Sequence, residues 1–135
     1  MKLGALVLLA AVFIGGAAHA DRLDDIKKAG VLRVAAFDSN PPFGYVDEKS
    51  RQIVGLDVDY AKAFADKLGV KLELRPTNPA NRVPLLTSGN VDLVLANFTI
   101  TDERAKQVDF SVPYFSSGQQ FLAKKGVLSS PAQLN

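Results

Sequence analysis

Hydrophobic and polar positions along the chain repeat with two different periods, which predict a sheet with helices between its strands. Residues 31–36, 70–75 and 91–96 predict three strands. The second alternates apolar and polar positions, and the third is apolar almost throughout, which is typical of a strand buried on both faces. The order strand, helix, strand, helix, strand predicts an α/β fold with a parallel sheet.

The longest helix of this pattern lies between the first two strands. Asp57 is predicted to cap it and Gly69 to end it. Its core-facing stripe consists of apolar residues at helical spacing, namely Leu56, Tyr60, Ala63, Phe64 and Leu68. Such a stripe predicts packing against the sheet and carries no function of its own.

Shorter elements are predicted around this core. One helix begins at Leu23 and stops at Gly30, and another is capped by Asn81 and ends at Gly89. Residues 46–53 predict a polar hairpin. Towards the end of the chain, two elements follow a Ser-Ser-Gly break: a strand at residues 119–124 and a capped helix from residue 130.

The residues after the third strand combine a helix start with groups that bind anions. Thr101 is a predicted cap, two acids follow it, and Arg104 lies in the first turn. The loop between strand and helix is expected at the carboxyl edge of the sheet, where α/β proteins bind small ligands. The guanidinium of Arg104 can hold a carboxylate with two hydrogen bonds, and Thr99 adds a hydroxyl. This loop therefore predicts a site for a small carboxylate.

Two other segments are expected at the same edge. The loop at residues 37–45 leaves the first strand and is stiffened by two prolines, and Arg82 lies in the first turn of the helix that follows the second strand. A cation in the first turn of a helix is unfavourable to the helix dipole, so the position of Arg82 suggests a functional role.

Three quoted segments carry a resemblance to a known family: Thr-Ile-Thr-Asp-Glu-Arg at 99–104, Val-Asp-Phe-Ser-Val-Pro-Tyr at 108–114 and Pro-Pro-Phe-Gly-Tyr at 41–45. Together they resemble the bacterial periplasmic amino-acid-binding proteins of ABC transporters, solute-binding protein family 3. The resemblance implies the type II periplasmic-binding-protein fold. It implies lobe one at residues 21–118, then the hinge strand and the start of a truncated lobe two at 119–135.

The resemblance also implies the roles of the site residues. Arg104 would hold the α-carboxylate of a free amino acid, and Thr99, with the carbonyl of Asn97 and the neighbouring Phe98, would contact the rest of its backbone. Arg82 leaves two alternatives open. It pairs with an acidic ligand side chain, aspartate or glutamate, or else it pairs with an acid of the missing lobe or points into solvent.

The loop after the first strand departs from the family pattern. Many relatives have an acidic residue where this chain has Phe37 and an aromatic residue where it has Asn40. Either Asp38 takes the acidic role or the loop is read one residue out of register. Phe37, Asp38 and Asn40 all remain candidates for contact with the ligand.

Composition narrows the possible chemistry. The 135 residues are 47% hydrophobic and 22% charged, as in one soluble domain, and a net charge of +2 does not indicate nucleic-acid binding. There is no cysteine, and the one histidine is His19. The usual base, thiol nucleophile and metal ligands are thus missing after residue 20. We predict a binding protein without cofactor or metal, not an enzyme, with a periplasmic dehydratase or a sensor input domain as alternatives on the same scaffold.

The first twenty residues predict a cleavable signal peptide. Lys2 precedes an apolar run at residues 3–14, and Ala18-His19-Ala20 fits the small-residue pattern before a cleavage point. A mature chain beginning at Asp21 would work in the periplasm. Its expected partners are a free polar amino acid and an inner-membrane ABC permease, and it is expected to be a monomer.

Overall fold

The computed structural model describes residues 22–118, 120, 122–127, 130 and 132. The predicted signal peptide lies outside these residues, as does most of the helix predicted from residue 130. The helices are α1 (Arg22–Ala29), α2 (Leu56–Leu68), α3 (Arg82–Thr87) and α4 (Asp102–Ala105). The strands are β1 (Val31–Phe37), β2 (Ser39–Asn40), β3 (Gly44–Val46), β4 (Ile53–Val54), β5 (Lys71–Thr77) and β6 (Leu93–Leu95).

A parallel sheet of three strands in the order β5-β1-β6 forms the centre of the fold, and this confirms the α/β prediction. Phe37 of β1 is in register with Thr77 of β5, and Ala36 with Leu95 of β6. All three strands therefore end at one edge, and the loops that follow them start side by side.

A second, antiparallel sheet is formed by β2, β3 and β4. It confirms the hairpin predicted at 46–53 and extends it into the segment that the sequence indicated as a loop. Gly55, which follows β4, has φ +126, and a side chain there would meet the backbone of Phe43. The backbone N–H of Leu56 donates to the Pro42 carbonyl at 3.1 Å, and the Asp57 N–H to the Phe43 carbonyl at 2.9 Å. These contacts fasten the second sheet to the start of α2.

The predicted core stripe of α2 is wrong in part. The fully buried apolar residues are Val58, Ala61 and Ala65, whereas Ala63 is exposed and Phe64 is 42% exposed. Helical spacing places residues 58, 61 and 65 on one face, one position from the predicted stripe. The small side chains of that face let the helix lie close to β1. Tyr60 and Leu68 pack beside it, partly buried.

The predicted helix cap at Asp57 is also wrong, whereas Asn81 takes the predicted cap position of α3 but does not make the capping hydrogen bond. The cap residue of α2 is Gly55, one residue before the helix, and Asp57 lies inside the first turn and is fully buried. Asn81 precedes α3 without a side-chain capping bond. Asn78 closes the turn before α3 instead, since its Oδ1 accepts from the backbone N–H groups of Ala80 and Asn81 at 3.0 and 3.1 Å.

Two strand predictions change as well. β6 is shorter than predicted, and Leu93 and Val94 are half-buried, so the strand is not covered on both faces among the described residues. Of the strand predicted at 119–124, the described residues 120 and 122–124 are not in a strand. In the described part of the chain, no helix is long and apolar enough to cross a membrane.

A buried ion cluster ties the sheet together at the edge opposite the strand ends. The Asp92 carboxylate, with its side chain 1% exposed, accepts from the Arg33 backbone N–H at 2.9 Å and from the Arg33 side chain at 3.1 and 2.9 Å. Arg22 lies 2.8 Å from the same carboxylate. Burial alone would raise the pKa of Asp92, but the hydrogen bonds from Arg33 and the charges of both arginines lower it overall.

We expect Asp92→Asn to destabilise the fold by about 1.5–3 kcal/mol at pH 7, the usual value of hydrogen bonds to charged groups. Because the folded-state pKa is depressed, the charge stabilises the fold fully above the unfolded pKa of about 3.9 and loses this effect as the pH falls through the folded pKa. Urea unfolding at several pH values measures this difference. Asp59→Asn, which removes an exposed pair with Lys62, is the control and should cost about 0.5 kcal/mol or less. Equal effects of the two variants would contradict the prediction.

Candidate functional site

Arg104 is held against the loop that precedes its helix. The hydroxyl Oγ1 of Thr101 accepts from the Arg104 backbone N–H at 3.3 Å, which confirms the predicted cap. The Arg104 Nη1 donates to the carbonyl of Thr99 at 2.8 Å. The remaining guanidinium donors have no hydrogen-bond partner recorded within the described part of the chain. The Arg104 guanidinium is thus fixed at the carboxyl edge of the sheet, and its remaining N–H groups can donate to a ligand.

Arg82 is buried and anchored by backbone carbonyls. The residue is only 8% exposed, its Nη1 donates to the carbonyls of Ala96 and Asn97 at 3.0 and 3.1 Å, and its Nε donates to that of Pro79 at 3.3 Å. The alternative in which Arg82 points into solvent is therefore excluded. The Asn97 carbonyl already accepts one hydrogen bond from Arg82, so one lone pair of this oxygen remains for a ligand.

Phenylalanine rings alternate with the two guanidinium groups. The guanidinium carbon of Arg82 lies 5.4 Å from the ring centroid of Phe37 and 4.3 Å from that of Phe98, and that of Arg104 lies 4.5 Å from the Phe98 ring. Cations are attracted to aromatic faces at such distances. Phe37 thus supports Arg82 from the end of β1. We call Arg82 and Arg104 the arginine pair, and Phe37 and Phe98 the rings of that pair.

The other two candidates of the first loop belong to the second sheet. The Asp38 carbonyl accepts from the Val46 N–H at 3.0 Å, and the Asn40 carbonyl accepts from the Phe43 N–H at 2.9 Å. Both residues are half-buried. No hydrogen bond or ion pair joins either side chain to the arginine pair in the described structure. Of the three open candidates, Phe37 is the one that contacts it.

Among the residues that the structure describes, the arginine pair carries positive charge without a counter-ion. Burial lowers the pKa of Arg82 and the charge of Arg104 lowers it further, while no acid acts to raise it. None of the ion pairs among the described residues includes Arg82 or Arg104. A buried cation without an acid is costly, and two neighbouring cations repel each other. A ligand anion at either guanidinium would offset the cost of burial and weaken the repulsion between the two cations.

The loop at residues 97–99 lies between the arginine pair and a groove. Asn97 has a positive φ of 46 and, like Thr99, is exposed, whereas Phe98 is half-buried. These three residues help to line a groove of about 930 Å³, together with residues 92–96 and 107–117. Neither arginine lines that groove. The loop at 97–99 therefore connects the arginine pair with the groove, whereas Asp38 and Asn40 belong to neither.

Two residues near the site were not predicted to belong to it. The fully buried Asp57 accepts from the Tyr114 hydroxyl at 2.8 Å, and its second carboxylate oxygen has no partner. Burial raises the pKa of Asp57, whereas the Tyr114 hydroxyl and the Asn97 backbone amide lower it. Burial also raises the pKa of Tyr114, and its hydrogen bond with Asp57 adds to this effect. In the sequence, the buried role of Asp57 is indicated only by its position on the apolar side of α2, next to Val58.

Residues 32–129 match the family described as bacterial extracellular solute-binding proteins, family 3. The L-cystine-binding protein TcyJ of Escherichia coli K12 is 36% identical over 126 residues, which are 93% of this chain and 47% of that protein. The glutamate/aspartate import solute-binding protein of the same organism is 35% identical over 137 residues, or 90% of this chain and 45% of the relative. The chain thus spans about half the length of these relatives.

Solved structures share the fold. A mutant of the arginine-bound form of domain 1 from TmArgBP has a TM-score of 0.68, with 43% identity, and the match covers 71% of this chain and 74% of that chain. An ancestral cationic amino-acid solute-binding protein has a TM-score of 0.67, with 45% identity, and the match covers 70% of this chain and 41% of that chain. The type II periplasmic-binding-protein lobe implied by the sequence is confirmed by this likeness. No group of three or more His, Cys, Asp or Glu side chains among the described residues could hold a metal ion.

Proposed function

This chain belongs to the bacterial extracellular solute-binding proteins, family 3, and we propose that it forms the first lobe of an importer subunit that captures a free amino acid with an acidic side chain. In the complete protein the second lobe closes over the ligand, and the closed form delivers it to an inner-membrane ABC permease. No bond is made or broken. The signal peptide predicted at residues 1–20 places this function in the periplasm.

The arginine pair without a counter-ion is the observation that carries the proposal. Arg104 has free donors on an otherwise fixed guanidinium, as binding of an α-carboxylate requires. Thr99 and the Asn97 carbonyl lie beside it and can accept from an α-ammonium. α4 has only four residues, so the guanidinium rather than the helix dipole provides the charge.

Arg82 supplies the reason for an acidic side chain. Its Nε and Nη1 are occupied by carbonyls, and no hydrogen bond of its Nη2 is recorded among the described residues. A ligand carboxylate at Nη2 would neutralise a charge that burial otherwise penalises. A neutral amide offers only a partial charge there, so aspartate or glutamate fits better than asparagine or glutamine.

Relatives with other ligands do not alter this preference. One relative is named for cystine, and the TmArgBP domain holds arginine. A cationic side chain beside Arg82 would need an acid to offset the repulsion. The end of β1 holds Phe37, and no acid among the described residues acts on the pKa of Arg82. The relative named for glutamate and aspartate agrees with the charge of the site.

A second function on the same scaffold has less support. A dehydratase would need an acid or base beside the substrate, and the described residues contain no histidine or cysteine. Asp38 is the nearest acid in the sequence to the loop ends, and it makes no contact with the arginine pair. A sensor input domain would bind its ligand through the same residues. Binding of an amino acid is therefore common to the importer subunit and the sensor input domain.

A thermal-shift screen of the full-length mature protein with both lobes, against the twenty amino acids, tests the proposal. A ligand at about a hundred times its Kd stabilises a protein by about 2.7 kcal/mol. We expect glutamate or aspartate to give the largest shift in melting temperature, and Arg104→Ala to reduce that stabilisation to about a third. Absence of any shift with all twenty, with calorimetry equally blank, would contradict the proposed function.

A further inference from the structure

Phe98 contacts both arginines of the pair with a single ring. The guanidinium carbon of Arg82 lies 4.3 Å and that of Arg104 lies 4.5 Å from the centroid of this ring. The distance between the two guanidinium carbons therefore cannot exceed the sum of these two distances. Cations this close repel each other. The aromatic face attracts both of them, so the shared ring opposes the repulsion and keeps the two groups together.

The backbone around Phe98 holds the same two guanidinium groups. Arg82 Nη1 donates to the carbonyls of the two residues before Phe98, at 3.0 and 3.1 Å. Arg104 Nη1 donates to the carbonyl of the residue after it, Thr99, at 2.8 Å. Each guanidinium is thus restrained twice by one short segment of the chain, by a backbone carbonyl and by the Phe98 ring.

The Phe98 ring is itself held in place by packing. It is half-buried, and the ring of Phe110 packs against it at a centroid distance of 5.4 Å with an angle of 51° between the ring planes. Aromatic pairs at this distance stabilise each other. The position of the ring therefore does not depend on a ligand, and the guanidinium groups are arranged before a ligand binds.

Building on the two carboxylate contacts of the proposed function, we propose that Phe98 is a positioning residue that fixes the spacing of the two guanidinium groups and thereby determines the preference for amino acids with two carboxylates. The ring acts through the arginines and needs no contact with the ligand. The two carboxylates of such a ligand are joined by a short carbon chain, so they reach both guanidinium groups only while that spacing is kept. The corresponding amide pairs its one carboxylate with Arg104 and depends less on the spacing.

The test uses variants of the full-length mature protein with both lobes. Phe98→Leu removes the aromatic face and keeps an apolar side chain and the backbone carbonyls, whereas Phe98→Tyr keeps the face. Phe64→Leu is the matched control. Its ring is also partly exposed and stacks on an aromatic neighbour, Tyr60, at 6.4 Å, and no guanidinium lies over it in the described part of the chain.

The first measurement needs no ligand. We expect the guanidinium Nε and Cζ signals of Arg82 and Arg104 in ¹³C-detected spectra to move in Phe98→Leu, because the ring current of Phe98 is lost. The same signals should stay in place in Phe64→Leu and close to their original positions in Phe98→Tyr. Unchanged arginine signals in folded Phe98→Leu would overturn the proposal.

The second measurement is the ratio of affinities for an acidic amino acid and its amide, by competition calorimetry at a temperature where every variant is folded. Phe98→Leu should weaken binding of the acid about five-fold more than binding of the amide, within the range of coupling measured between residues in contact. Phe98→Tyr and Phe64→Leu should keep the ratio within about two-fold, the spread expected of changes away from such contacts. A merely structural ring would weaken both ligands equally, and that result would overturn the proposal.

A double variant shows whether the ring acts through Arg82. In the background of Arg82→Gln, the change Phe98→Leu should leave the ratio of acid to amide unaltered, because the two residues act on it as one unit. A further five-fold fall would mean that Phe98 touches the ligand side chain, and would overturn the positioning role. Failure of every amino acid to bind would refute the proposed function and the role of Phe98 with it, whereas normal binding with an unaltered ratio in Phe98→Leu would refute only the role of Phe98.

Discussion

Replacing Arg104 by alanine is expected to weaken amino-acid binding by about thirty-fold. The truncation removes the charge-assisted contact to the α-carboxylate, and such losses cost about 2–5 kcal/mol when the charges are desolvated. Arg104 is half-buried in this chain, so the lower end applies, and about 2 kcal/mol corresponds to about thirty-fold at 1.4 kcal/mol per factor of ten. Isothermal calorimetry on the folded variant measures this change.

Arg75→Ala is the control for the loss of a positive charge. Arg75 is 53% exposed, pairs with Glu73 on β5 and contacts none of the site residues described above. Its replacement should change affinity by less than about two-fold, because exposed charges act weakly through water. A change of less than three-fold for Arg104→Ala would show that the carboxylate binds elsewhere.

Arg104 could be placed from the sequence because its contacts are local. Thr101 caps the helix three residues before it, and the Thr99 carbonyl lies five residues before it. Parallel strands need a crossover between them, so the sequence order also predicted that the loops after β1 and β6 share an edge. Patterns that extend over a few residues carry this information.

The burial of Arg82 could not be predicted, because its partners come from separate strand ends. The Ala96 and Asn97 carbonyls follow β6, and Phe37 ends β1. Nothing in the spacing of these residues indicates that a guanidinium lies between two rings. The register of the sheet decides it, and register follows from packing of the whole core.

Asp57 was misread because two explanations of an acid near a helix start look alike in sequence. A capping aspartate and a buried aspartate both follow a turn and precede an apolar run. Gly55, with φ +126, takes the cap position and shifts the start of α2 by two residues. Only the Tyr114 hydroxyl identifies the buried role, and it lies too far along the chain for a local pattern to include it.

Arg82 is expected to determine the choice of side chain. Glutamate or aspartate should bind at least about ten-fold more tightly than the corresponding amide, since a hydrogen bond to a charged group adds about 1.5–3 kcal/mol where a neutral one adds less. Competition calorimetry with the four amino acids gives the ratio. Arg82→Gln should erase it, because the guanidinium charge is lost while a hydrogen-bonding side chain remains.

Two further variants separate specificity from folding. Arg82 donates to three backbone carbonyls, so Arg82→Ala would leave those acceptors unpaired and lower stability along with affinity. Arg82→Lys keeps the charge and loses the fork, and it should retain part of the preference for acids, because the planar guanidinium matches a carboxylate better than an ammonium does. An unchanged preference in folded Arg82→Gln, equal binding of acid and amide by the unaltered chain, or tighter binding of lysine or arginine would each refute the acidic ligand. Retention of Arg104-dependent binding in Arg82→Gln would confirm that the two arginines serve different carboxylates.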